Sequence, residues 1–157
     1  MMQRGMPLLG YLGGELIMPD YPQAIGRVLL SVVFIVFGYL QFTNIGNYIA
    51  NPAVAKAAAM SGGILSPTVI AYLVAAIDLF GGLLILVGYQ TRWAAVVLIA
   101  FIVLTFIFAH NFWTMEGAAR AANQAHFYKN LSLIGGLLLL IAAGPGRYSL
   151  DHRSSRS

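Results

Sequence analysis

The run AYLVAAIDLFGGLLILVG, Ala71 to Gly88, constrains this chain more than any other stretch. It is apolar and small throughout except for one carboxylate, Asp78, near its middle. About 20 such residues cross the roughly 30 Å hydrocarbon core of a bilayer as a helix. Ala71, Ala75, Asp78 and Gly82 recur at i, i+4, i+7 and i+11, which puts them on one helical face, with Gly81 beside them. Small residues there let a second helix approach closely, and a carboxylate there must point into protein rather than lipid. The segment is therefore expected to be the inner helix of a membrane bundle, with the other segments as its partners.

Composition agrees. Charged residues make up 9% of the chain and hydrophobic ones 59%, far from the roughly one-quarter charged share of a soluble domain. At 157 residues one domain is expected. No cysteine is present, which excludes disulfides, thiolate metal sites and Fe–S clusters built from this sequence. The net charge of +4 comes from basic residues scattered at segment ends, so they read as topology signals and headgroup contacts, with no nucleic-acid partner.

The expected fold is all-α: an integral membrane four-helix bundle with a short interfacial helix between helices 1 and 2. Residues 1–22 form a Gly- and Pro-punctuated tail in which no cleavable signal peptide is expected. The bundle occupies 23–146, with spans at about 23–43, 68–87, 93–110 and 126–143, and 147–157 is a polar, basic tail. Pro52 and AVAKAAAM predict the interfacial helix, and Pro67 opens span 2. A polar loop holding Glu116 and Arg120 precedes span 4. Four spans put both termini on one side. Arg4, Arg27, Arg92, Arg147, Arg153 and Arg156 fall there, against Lys56, Arg120 and Lys129 opposite, so the positive-inside bias makes both termini cytoplasmic. A multi-pass protein of a bacterial-type cytoplasmic (inner) membrane is expected.

Asp78 is the candidate catalytic residue, a proton-accepting or ligand-anchoring group, because a carboxylate in the membrane must be protonated, paired or solvated by a cavity; the alternative is a neutral or paired acid that only ties helices together by hydrogen bonds. Arg27 from the inner side and Lys129 from the outer side are its candidate partners, each roughly 10 Å away in depth. A second constellation gathers at the outer ends of the spans: Gln41, His110, His126, Lys129 and Asn130. With Arg27 these are the candidate ligand-binding residues, for a polar headgroup, a quinone carbonyl or a small anion; the bland alternative is interfacial capping and anchoring. Two histidines without a third suitably placed ligand make no metal site. Gly38, Ala75, Gly81, Gly82, Gly135 and Gly136 are expected to mediate close helix packing.

The order of several short stretches resembles the DoxX family of small four-helix membrane proteins: Gly26-Arg27-Val28-Leu29-Leu30, Asp78-Leu79-Phe80-Gly81-Gly82, Phe127-Tyr128-Lys129-Asn130-Leu131 and Gly144-Pro145-Gly146-Arg147. Asp78 stands where many relatives carry Glu, and Gln41 where many carry Lys. The resemblance, through DoxD-type subunits of a thiosulfate:quinone oxidoreductase, implies a quinone-linked oxidoreductase subunit. Quinone would be its ligand between helices, and a soluble or membrane redox partner its electron source, since no intrinsic cofactor motif is evident. The alternative is a non-catalytic scaffold or permease-like module, for which a homo-oligomer is one expected form.

Overall fold

The apolar segments become helices whose ends fall where the sequence offers helix-ending residues. The computed structural model describes residues 10–12, 15–17 and 20–154. Ahead of the helices, β1 (Gly10–Leu12) and β2 (Glu15–Ile17) pair antiparallel, Tyr11 opposite Leu16. Helix α1 spans Asp20–Thr43, and α2 (Ile45–Ile49) and α3 (Pro52–Met60) follow it. Asn51 caps α3 by accepting from the Ala53 amide. In α4 (Pro67–Val87), Pro67 occupies the first turn, where its missing N–H costs nothing. Gly88 closes that helix in the left-handed region at φ 68°, a conformation glycine adopts without steric cost. Helices α5 (Thr91–Phe108), α6 (Gly117–Ala143) and α7 (Leu150–Ser154) complete the chain, with a 3₁₀ turn at Phe112–Thr114.

Four of these helices, α1, α4, α5 and α6, are long and apolar enough to cross a membrane, and they form the all-helical bundle expected. Four departures from the expected boundaries are found. Part of the expected N-terminal tail is a hairpin, and α1 starts at Asp20 rather than 23. Two short helices, not one, join α1 to α4. Helix α6 begins nine residues before 126, because Ala118, Ala119, Ala121, Ala122 and Ala125 are strong helix formers and carry Arg120 into the helix. At 1.5 Å per residue its 27 residues are about 40 Å long, so it outreaches a roughly 30 Å apolar layer. The expected polar tail contains α7.

The main seam joins α1 to α4. Ala71, Ala75, Asp78, Gly82 and Ile85 are the buried stripe of α4. A Cβ on Gly38 would lie 2.7 Å from the Leu79 Cα, and one on Gly82 would lie 2.9 Å from the Ile35 nitrogen. These two glycines set how closely the helices approach. Gly81 turns toward Leu98 of α5, and Gly136 toward Leu30 of α1. Gly135, one residue and about 100° around the helix from Gly136, meets nothing within 4 Å, so close packing at that position is not found. Phe34, Ile85, Leu98, Ile102 and Leu137 centre the core. Leu29, Trp93 and Leu139 lie on the outside, each more than two-thirds exposed. Apolar side chains outside as well as inside suit a bundle solvated by lipid.

Candidate functional site: a polar cavity between the helices

The start of α1, the end of α6 with α7, and the α4–α5 turn lie at one end of the bundle, the proximal end. The Gln23 amide donates to the carbonyls of Ala143 and Gly144 at 3.0 and 2.8 Å, and the Asp151 amide donates to the Gly88 carbonyl. The α1–α4 connection and the α5–α6 loop lie at the distal end.

Asp78 is 6% exposed on the buried face of α4. The register of the α1–α4 seam decides its partner. Gly38 faces Leu79, so Gln41, one turn further along α1, comes level with Asp78, and Gln41 Nε2 donates to Asp78 Oδ2 at 3.0 Å. Helix α1 ends two residues later while α4 continues, flanked there by α2 and α3. The shortfall of α1 leaves a cavity of about 230 Å³ lined by Asp78, Gln41, Tyr48, Lys129, Asn130 and the two histidines, with Phe34 and Phe37. Lys129 reaches it from α6 with its Nζ 4.4 Å from the centre of the Phe37 ring, a cation–π contact. It interacts electrostatically with Asp78 without a hydrogen bond between them. Asn130 donates to the Thr105 hydroxyl at 3.2 Å, which donates in turn to the Ile102 carbonyl. Gln41 Oε1 is buried without a hydrogen-bond partner, so one acceptor faces unfilled demand.

His110 and His126 stack with ring centres 5.1 Å apart. The Asn123 amide nitrogen donates to the Ala119 carbonyl, which leaves its Oδ1 to accept from His110 Nδ1 at 3.1 Å and makes His110 Nε2 the acceptor. A second cavity of about 520 Å³ opens at the distal end and shares Asn51, Ala53, Ala109, His110 and His126 with the first. The histidine pair therefore stands between the two cavities, lining both. Among the described residues no group of three or more His, Asp or Glu side chains could hold a metal.

Arg27 does not belong to this site. It is 5% exposed at the proximal end and donates to the carbonyls of Pro145 and Tyr148. Its guanidinium lies against Gly88, ten residues from Asp78 along α4, about 15 Å at 1.5 Å per residue. Neither a pairing with Asp78 nor a shared ligand is compatible with that separation. Sequence reasoning also missed Tyr48, Asn51 and Asn123, all in segments read as connections, and Asp151. The Asp151 carboxylate accepts from the amides of Gln90 and Thr91 at 2.7 and 2.9 Å, capping α5 from sixty residues away in sequence. Burial alone would raise its pKa, but these amides and the Arg27 charge hold it below the ordinary carboxylate range.

The SURF4 family model matches residues 14–156. The inner membrane protein YphA of Escherichia coli is 32% identical over 129 residues, 82% of this chain and 87% of that protein. The inner membrane protein YqjF of the same organism is 35% identical, covering 84% and 91%. The ER-derived vesicles protein ERV29 of Saccharomyces cerevisiae is 35% identical over 79 residues, 49% of this chain and 25% of that protein. No solved structure matches this chain. The match along nearly the whole chain replaces the resemblance to the DoxX family, which rested on short fragments. The quinone-linked oxidoreductase role came with that resemblance alone and falls with it.

Proposed function

The chain belongs to the SURF4 family, and from that premise we propose that it is a membrane-embedded binding module for a small zwitterionic ligand. The observation that carries this reading is the pairing of unlike charges around one cavity without a bond between them. Asp78 and the free Gln41 oxygen offer acceptors on the α1–α4 side, and Lys129 offers a cation from α6. A ligand with an ammonium at one end and an anionic group at the other satisfies all three. At about 230 Å³ the cavity is smaller than the roughly 300–1,000 Å³ typical of drug-sized ligands, which favours a molecule of a few heavy atoms. His110, His126 and Asn130 line the approach and complete the polar wall.

In this reading the distal end faces outward and both termini face the cytoplasm. The six-to-three distribution of basic residues and the inner-membrane location in the names of the two bacterial relatives support it.

Thermal unfolding of the purified protein in detergent tests the binding reading, with phosphoethanolamine and glycine as zwitterions and ethanolamine and acetate as their singly charged halves. A zwitterion at 100 times its Kd stabilises by about 2.7 kcal/mol. The zwitterions should raise the melting temperature, their halves should not, and Asp78→Asn should abolish the effect. An equal response in Asp78→Asn, or none to either zwitterion, refutes the reading.

A further inference from the structure

The proximal end carries a separate cavity of about 600 Å³, between the first turn of α5 and the Gly144–Pro145–Gly146 turn after α6. Arg92 and Arg147 line it. The acid that also lines it, Asp151, is committed elsewhere: its two oxygens cap α5, and its charge is balanced by buried Arg27. Exposed Arg92 therefore brings to the cavity a positive charge that Asp151 does not balance. Arg92 makes no hydrogen bond to the described residues, so its guanidinium keeps all its donors for a ligand.

Depth and surroundings identify the ligand. The cavity lies where α5 begins and α6 ends, at the level where apolar spans give way to headgroups. Trp93 stands on its rim 71% exposed, and Tyr148 beside Arg147 is 67% exposed, as aromatic side chains at a membrane–water boundary are. Further into the membrane, Val96 and Val97 on α5 and Leu138 and Leu139 on α6 present exposed apolar surface. A free anion would use the arginines and leave that surface unused. A phospholipid uses both.

We propose that this cavity seats the headgroup of an anionic phospholipid, with its phosphodiester between Arg92 and Arg147 and its acyl chains along the outer faces of α5 and α6. Arginine suits the role because its planar fork grips phosphate oxygens in pairs.

The test is a titration of the delipidated full chain in dodecylmaltoside with dioleoylphosphatidylglycerol, read by native mass spectrometry. Dioleoylphosphatidylcholine, inorganic phosphate and glycerol 3-phosphate serve as comparisons. Phosphatidylglycerol should bind more tightly than phosphatidylcholine, and neither soluble phosphate should displace it. Arg92→Gln, on an exposed side chain with no hydrogen bond to the described residues, should fold normally and weaken phosphatidylglycerol binding roughly fivefold. Arg147→Gln should do the same, while Lys56→Gln and Arg120→Gln at the distal end should leave it unchanged. Equal weakening by the distal variants would reduce the effect to general charge attraction and overturn the proposal. Equal affinity for phosphatidylcholine, or displacement by inorganic phosphate, would also overturn it.

Discussion

Gly38→Ala is the sharpest probe of the α1–α4 seam, because a single methyl group there meets backbone rather than a side chain that can swing away. The new Cβ would sit closest to the Leu79 backbone nitrogen and 2.7 Å from both the Leu79 Cα and Cβ, at least 0.7 Å short of the 3.4 Å at which ordinary contact begins. Helix backbones do not yield locally, so α1 and α4 must separate by about that distance. Overpacking of this kind costs roughly 1–3 kcal/mol. The same separation lengthens the Gln41–Asp78 hydrogen bond from 3.0 Å to about 3.7 Å, beyond bonding distance. Losing it adds about 0.5–1.5 kcal/mol. Against these stands the gain of replacing a mid-helix glycine, roughly 0.5–1 kcal/mol. The net expectation is a loss of roughly 0.5–4 kcal/mol. Gly135→Ala supplies the control: nothing lies within 4 Å of its new methyl, so only the favourable contribution remains and stability should rise slightly. Unfolding in dodecyl sulfate–dodecylmaltoside mixed micelles, followed by the fluorescence of Trp93 and Trp113, measures both. If Gly38→Ala proves as stable as the parent, or moves in the same direction as Gly135→Ala, the seam is not where the glycines place it.

Acid should loosen the proximal end through Asp151. Its carboxylate titrates below the usual 3.8, so its stabilisation is complete above that value and is lost as pH falls through its lower folded value. Asp151→Asn should remove this acid-dependent component and leave the curve flatter below about pH 4, as melting temperature against pH would show; an unchanged curve would discount the cap. For the orientation, the cysteine-free chain allows clean labelling. Ala118→Cys should react with an impermeant thiol reagent in intact cells and Ser154→Cys only after lysis, and the reverse pattern would invert the topology.

The four spans were legible because their signals are local. Pro67 and Gly88 bracket α4, and the spacing of Ala71, Ala75, Asp78 and Gly82 is a property of one helix. The partners of those residues were not legible, because they depend on register between helices. Gln41 read as an end-of-span residue, yet the approach of Gly38 to Leu79 places it level with Asp78. Arg27 read either as a headgroup contact or as a partner turned toward Asp78, because its distance from Asp78 was judged by depth alone; its partners are carbonyls about 120 residues away. The alanine-rich start of α6 read as loop because it is too polar to span, although helix propensity does not require burial. The family was misread for a similar reason: short Gly- and Arg-containing fragments recur wherever small helices pack and end.

The closing of the proximal end by residues 144–151 has a consequence for biosynthesis. Arg27 lies in α1, and the Pro145 and Tyr148 carbonyls that receive its hydrogen bonds are translated about 120 residues later. Until they emerge its guanidinium has only headgroups and water available, and the turn at Gly88 has no Asp151 beneath it. The nascent α1–α4 pair must therefore hold together through its glycine seam until residues 144–151 arrive to fasten the proximal end.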